Sequence, residues 1–274
     1  MTTPSAIDQT FARTRAAGHM AFMPFITAGD PDLATTCELI ELLADCGVDL
    51  IEIGFPYSDP IADGPVIQSS YTRALAKKLT VAEIFDAIGG LTRRRANLPP
   101  LVAMVSYAII FRIGSPAFVA QAKAAGFSGL IVPDLPADEA ADMARLAAGA
   151  GLDLVELIAP TTTKEHTARI LDTSRGFLYC ISVAGTTGAR TDLPAELRDQ
   201  LTWLKSQTKL PLAVGFGVSR PEQVAALKGV ADGVIVGSAI VRHVGRITDE
   251  ACPKAEAMTA IRQLATAMVT AVRA

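Results

Sequence analysis

Short runs of near-continuous apolar residues alternate with longer segments of helical period along the whole chain. The short runs fall at 21–27, 49–53, 101–106, 129–132, 153–158, 177–183, 212–215 and 233–236. They lack in/out alternation, as strands buried on both faces of a parallel sheet do. Helical segments follow them, among them 33–45, 137–148, 164–173, 194–206 and 221–227. Eight β-α units in this length predict a closed barrel, a single (β/α)8 TIM barrel domain spanning 1–274. A further amphipathic stretch near 5–17 predicts an extra N-terminal helix that caps the barrel floor. The rival architecture, an open doubly wound sheet, announces itself with G-x-G-x-x-G after the first strand. Here the first run ends instead in Thr27-Ala28-Gly29-Asp30-Pro31, a turn.

Composition supports a folded globule and narrows its partners. Half of the 274 residues are hydrophobic, 19% are charged and the net charge is -3, so no basic surface for nucleic acid is expected. Arg93-Arg94-Arg95 closes an amphipathic segment and reads as a solvated helix end. The longest apolar stretch, 101–111, is broken by Ser106 and falls short of the roughly 20 residues of a membrane span. No signal-peptide pattern is read at the start, and four scattered cysteines without a C-x-x-C pair suit a reducing compartment, so a cytoplasmic protein is expected.

In barrels of this type the chemistry sits in the loops at the C-terminal strand ends. Glu52 lies among apolar residues near the end of the second strand; no Lys or Arg occupies a strand core to pair with it, so burial should raise its pKa into the range of a general acid/base. Asp63 falls in the long, proline-braced loop 55–65, and a built loop over a barrel mouth reads as functional. Asp134, after the fourth strand, serves either catalysis or loop orientation. Gly215-Phe216-Gly217 and Gly237-Ser238-Ala239 close the last two strands and predict a phosphate site built from backbone amides and a helix N-terminus. The small, polar segment 184–191 has the composition of a lid. His19, His166 and His243 are dispersed, so no metal is expected, and no Lys ends a strand, which argues against Schiff-base chemistry.

The run Glu52-Ile53-Gly54-Phe55-Pro56-Tyr57-Ser58-Asp59-Pro60-Ile61-Ala62-Asp63-Gly64-Pro65-Val66-Ile67-Gln68 closely resembles the signature of the tryptophan synthase α-subunit family. Five other segments resemble the family in the same order: Pro24 to Pro31, Val132 to Pro136, Gly185 to Gly188, Gly215 to Gly217 and Gly237 to Ala239. The resemblance implies retro-aldol cleavage of indole-3-glycerol phosphate to indole and glyceraldehyde 3-phosphate, with Glu52 and Asp63 moving the protons. It implies an indole pocket of Phe25, Val105, Tyr107, Tyr179 and Phe216, a phosphate site of Gly188, Gly217, Gly237 and Ser238, and Thr187 near the acids. It also implies an α2β2 complex whose β subunit carries pyridoxal phosphate and joins indole to L-serine, this chain binding no cofactor itself. Val183 stands where Arg is expected, and Ile109 and Tyr71 where Asn is. A free-standing lyase, a barrel that closes the indole ring and a non-catalytic phosphate-binding scaffold are the alternatives.

Overall fold

A computed structural model describes residues 3–60, 63–181, 194–215, 217–248 and 252–274. Its strands are β1 (Ala21–Thr27), β2 (Ile51–Gly54), β3 (Leu101–Met104), β4 (Phe127–Ile131), β5 (Asp153–Val155), β6 (Leu157–Ile158), β7 (Leu178–Ile181), β8 (Leu212–Gly215) and β9 (Gly233–Val236). All pairings are parallel, in the order β5-β4-β3-β2-β1-β9-β8-β7-β6. The two ends of that order, β5 and β6, are consecutive pieces of one segment that changes neighbour at Glu156. The sheet therefore closes on itself, and the expected eight-stranded barrel is present with its fifth strand split in two.

The helices are α1 (Ala6–Ala16), α2 (Leu33–Asp45), α3 (Pro65–Leu75), α4 (Val81–Arg94), α5 (Tyr107–Ile113), α6 (Ser115–Ala124), α7 (Ala137–Gly149), α8 (Lys164–Thr173), α9 (Ala195–Gln207), α10 (Ser238–Gly245) and α11 (Lys254–Arg273). Their starts are set by local chemistry. Ser5 with Asp8 and Thr80 with Glu83 form reciprocal capping boxes, and the Asp32 side chain accepts from the Thr35 amide. The expected helix at 221–227 is instead two 3-10 turns, Pro221–Gln223 and Ala225–Leu227. The stretch is short, and the Gln223 carboxamide turns back to accept from the Ser219 and Arg220 amides, which favours the tighter turn.

Strand alternation sorts the core into two layers. Phe22, Ile26, Ile51, Ile53, Leu101, Ala103, Leu178, Leu212 and Val234 pack outward among the helices. Ala21, Met23, Phe25, Leu50, Val102, Met104, Ile131, Val155, Tyr179, Ala213 and Ile235 form the inner layer. Ile7 and Phe11 of α1 join that inner layer from below, with the Phe11 ring 5.6 Å from Phe177 and the Ser5 hydroxyl 2.5 Å from the Asp153 carboxylate. Each of these two buried side chains contributes about 2 kcal/mol of apolar burial. The additional helix thus closes the floor, and the opposite mouth is left for the site.

Candidate active site

Glu52 follows the inner parity of β2, between Leu50 below and Gly54 above, in register with Phe25 on β1 and Val102 on β3. It is 3% exposed, and among the described residues neither carboxyl oxygen has a hydrogen-bond partner. A carboxylate so placed loses its water without compensation. Burial first, and then the charge of Asp63, push its pKa up from 4.5 to about 8. At neutral pH it holds its proton.

Asp63 immediately precedes Gly64, the N-cap of α3, with Pro65 opening the helix. Its backbone is tied down: its amide donates to the Pro60 carbonyl, and the Gln68 carboxamide donates to the carbonyls of Asp63 and Pro60. Burial raises its pKa to about 6, so at neutral pH it is largely ionised. The two acids are close enough to act on each other electrostatically while holding opposite protonation states, the arrangement that acid/base catalysis uses.

Helix α3 is clamped to the end of β1 at two points. The Thr27 and Ser70 hydroxyls lie 2.7 Å apart, and Arg73 forms a bidentate pair with the fully buried Asp30 at 2.8 and 2.7 Å. The clamp carries Tyr71 of α3 into the inner layer, its ring 5.5 Å from that of Tyr57. Burial raises the hydroxyl pKa of both tyrosines, that of Tyr57 to about 12, and the charge of Asp63 adds to each. Neither tyrosine was expected at the site. Their signal was weak, since a helical tyrosine such as Tyr71 reads as outer packing and Tyr57 is one apolar residue of a long loop.

Among the other expected residues, Phe25 and Tyr179 are buried in the inner layer. Burial pushes the Tyr179 hydroxyl well up, and Glu52, Asp63 and Tyr71 add to the shift. Two glycines make room for these rings. A Cβ on Gly54 would lie 2.4 Å from the Phe25 ring, and one on Gly215 would lie 2.3 Å from the Tyr179 hydroxyl. Val105 and Tyr107 require correction. Val105 packs in the outer layer, and the inward side chain at the end of β3 is Met104, because strand parity places 102 and 104 on one face and 105 on the other. Tyr107 turns away, toward the side chains of Glu139 and Ser115, and its ring stands 6.1 Å from Phe111. Asp134 is occupied in orienting this turn: its carboxylate accepts from the Ser106 hydroxyl and the Tyr107 amide, both at 2.7 Å.

Gly217 and Gly237 follow the adjacent strands β8 and β9. Gly217 has φ +100°, open to glycine at little cost, and Gly237 is the N-cap of α10 with no side-chain cap. Ser238 opens that helix, exposed, so the first-turn amides face the mouth with a partial positive charge. Thr187, Gly188 and Phe216, the expected lid and Val183 lie outside the described residues.

A family model described as tryptophan synthase alpha chain matches residues 11–271. The chain belongs to that family. It is 48% identical over 246 residues to the tryptophan synthase alpha chain of Rhodopirellula baltica, covering 89% of this chain and 88% of the relative. Its fold superposes on tryptophan synthase subunit alpha from Legionella pneumophila with a TM-score of 0.88 at 33% identity, over 98% and 99% of the two chains. A Pyrococcus furiosus structure, described for mutual activation in a tryptophan synthase α2β2 complex, matches with a TM-score of 0.83 at 37% identity over 92% and 99%. The activity is accordingly that of the family, the lyase half-reaction that releases indole from indole-3-glycerol phosphate. No helix among the described residues is long and apolar enough to cross a membrane.

Proposed function

We propose that Glu52 and Asp63 carry the proton transfers of this lyase reaction, that the amides around Gly217, Gly237 and Ser238 hold the substrate phosphate, and that Phe25, Met104 and Tyr179 line the indole pocket. The observation that carries the reading is the unpartnered, buried Glu52 carboxyl, raised to about 8, beside an Asp63 at about 6. Protonated Glu52 delivers its proton to indole C3 while ionised Asp63 draws on the ring N–H. The ring nitrogen lone pair forms the C=N bond of the resulting indolenine. The bond from C3 to the side chain then breaks, its electron pair restores the aromatic ring, and the departing carbon becomes an aldehyde as its hydroxyl proton passes to Glu52. The substrate is its own electron sink, so the step needs neither metal nor Schiff base, and pyridoxal phosphate belongs to the β partner.

The indole product suits an α2β2 assembly like the one named for the Pyrococcus furiosus relative, with a β subunit that joins the indole to L-serine, as the family resemblance implies. The test is indole release by wild type, Glu52→Gln and Asp63→Asn, each with and without a cognate β subunit. Glu52→Gln is expected to lose a factor of roughly 10² or more in kcat. Activity within a few fold of wild type would overturn the assignment. A rise in wild-type activity on adding β supports the complex, and an unchanged rate favours a free-standing lyase.

A further inference from the structure

Helix residues in this barrel pack mainly in the outer layer, yet Tyr71 of α3 reaches the inner one, where it is 2% exposed. Its destination is specific. Glu52 and Gly54 lie two residues apart on β2 and so share its inward face, and the side chain that Gly54 lacks leaves a space immediately above the acid. Two groups share that space: ring carbons of Phe25, at 2.4 and 2.7 Å from the position of a Cβ on Gly54, and the Tyr71 hydroxyl, at 3.0 Å from it. Tyr71 is fixed there from both sides of its helical turn by the Thr27–Ser70 and Asp30–Arg73 contacts, so the hydroxyl has little room to withdraw.

We propose that Tyr71 is a specificity-determining residue of the lyase site, its hydroxyl closing the indole pocket at the Phe25 end and so limiting which ring substituents fit. The inference rests on the reading above that Phe25 lines the indole pocket. Its surroundings agree with that position: burial first, and then the charge of Asp63, disfavour ionisation of the Tyr71 phenol, so the hydroxyl stays neutral and acts through its size and its donor.

Removing the hydroxyl alone frees the space of one heavy atom, which makes a ring methyl the matched probe. The experiment is the reverse condensation of glyceraldehyde 3-phosphate with indole and with each of its ring-methylated isomers, using wild type, Tyr71→Phe and Tyr71→Leu. Tyr71→Phe keeps the ring and its packing, so it remains informative if Tyr71→Leu fails to fold. For at least one methylindole, kcat/KM relative to indole is expected to rise roughly tenfold in Tyr71→Phe, the discrimination that one methyl group commands in an apolar pocket. A parallel change for indole and every methylindole would mark Tyr71 as packing only and overturn the inference. Glu52→Gln assayed alongside separates the two claims. Loss of its activity with an unmoved selectivity ratio refutes Tyr71 alone, and a wild type that condenses no indole refutes both.

Discussion

Replacing Glu52 by Met should make the protein more stable while it destroys the activity. Glu52 is 3% exposed with both oxygens unbonded among the described residues, and its pKa rises from 4.5 to about 8 on folding. Below pH 4.5 the acid is neutral in both the folded and unfolded chains and costs nothing as a charge. As the pH rises, the unfolded chain releases its proton and the folded one does not, so stability declines until the pH passes about 8. At ~1.4 kcal/mol per unit, the penalty is about 3 kcal/mol at pH 7 and levels near about 5 kcal/mol above the folded pKa. Methionine is unbranched like glutamate and carries no charge into the space. Equilibrium urea unfolding of both proteins from pH 5 to 8.5 measures the difference. The variant should gain about 1 M in midpoint near neutrality, with the gain growing as the pH rises. A difference that stays constant with pH, or a variant weaker than wild type at pH 8, would refute the account of Glu52 as an uncompensated buried acid.

Three other outcomes are expected. The kcat/KM for indole release should be bell-shaped, rising through about 6 as Asp63 loses its proton and falling through about 8 as Glu52 does, and Asp63→Asn should remove the acid limb. Asp30→Ala strands Arg73, whose side chain is only 28% exposed, and should cost about 3 kcal/mol in urea unfolding; the double variant Asp30→Ala/Arg73→Met should recover part of that loss. Asp134→Ala removes the acceptor of the Ser106 hydroxyl and the Tyr107 amide and should cost about 1–2 kcal/mol, seen as a lower thermal midpoint.

The architecture was legible because its signals are local. Apolar runs, capping residues and turn glycines each act over a few positions, and the floor helix followed from its own amphipathic stretch. Glu52 was legible for a related reason, since a charge inside an apolar strand stands out without knowledge of its neighbours, and Asp63 was picked out by its long, proline-braced loop. What could not be read depends on direction. The resemblance implies Val105 as a pocket residue, whereas a shift of one residue along a strand reverses the face, and Met104 points inward instead. Tyr71 reads as an ordinary helix residue until long-range contacts from Thr27 and Asp30 set the pose of α3. At Glu156 the segment stops pairing with β4 and begins pairing with β7, a change of hydrogen-bonding partner that no local apolar pattern marks.

The glycines at the tips of β2 and β8 carry a consequence for how this sequence can vary. At Gly54 and Gly215 a single added carbon would collide with Phe25 or Tyr179, side chains that border the acids. A saturation mutagenesis screen for tryptophan prototrophy should therefore show these two positions as intolerant as Glu52, although neither bears a functional group. Intolerance there records a volume that a neighbouring ring already fills, and a second-site change that shortens Phe25 or Tyr179 is the class of suppressor to look for.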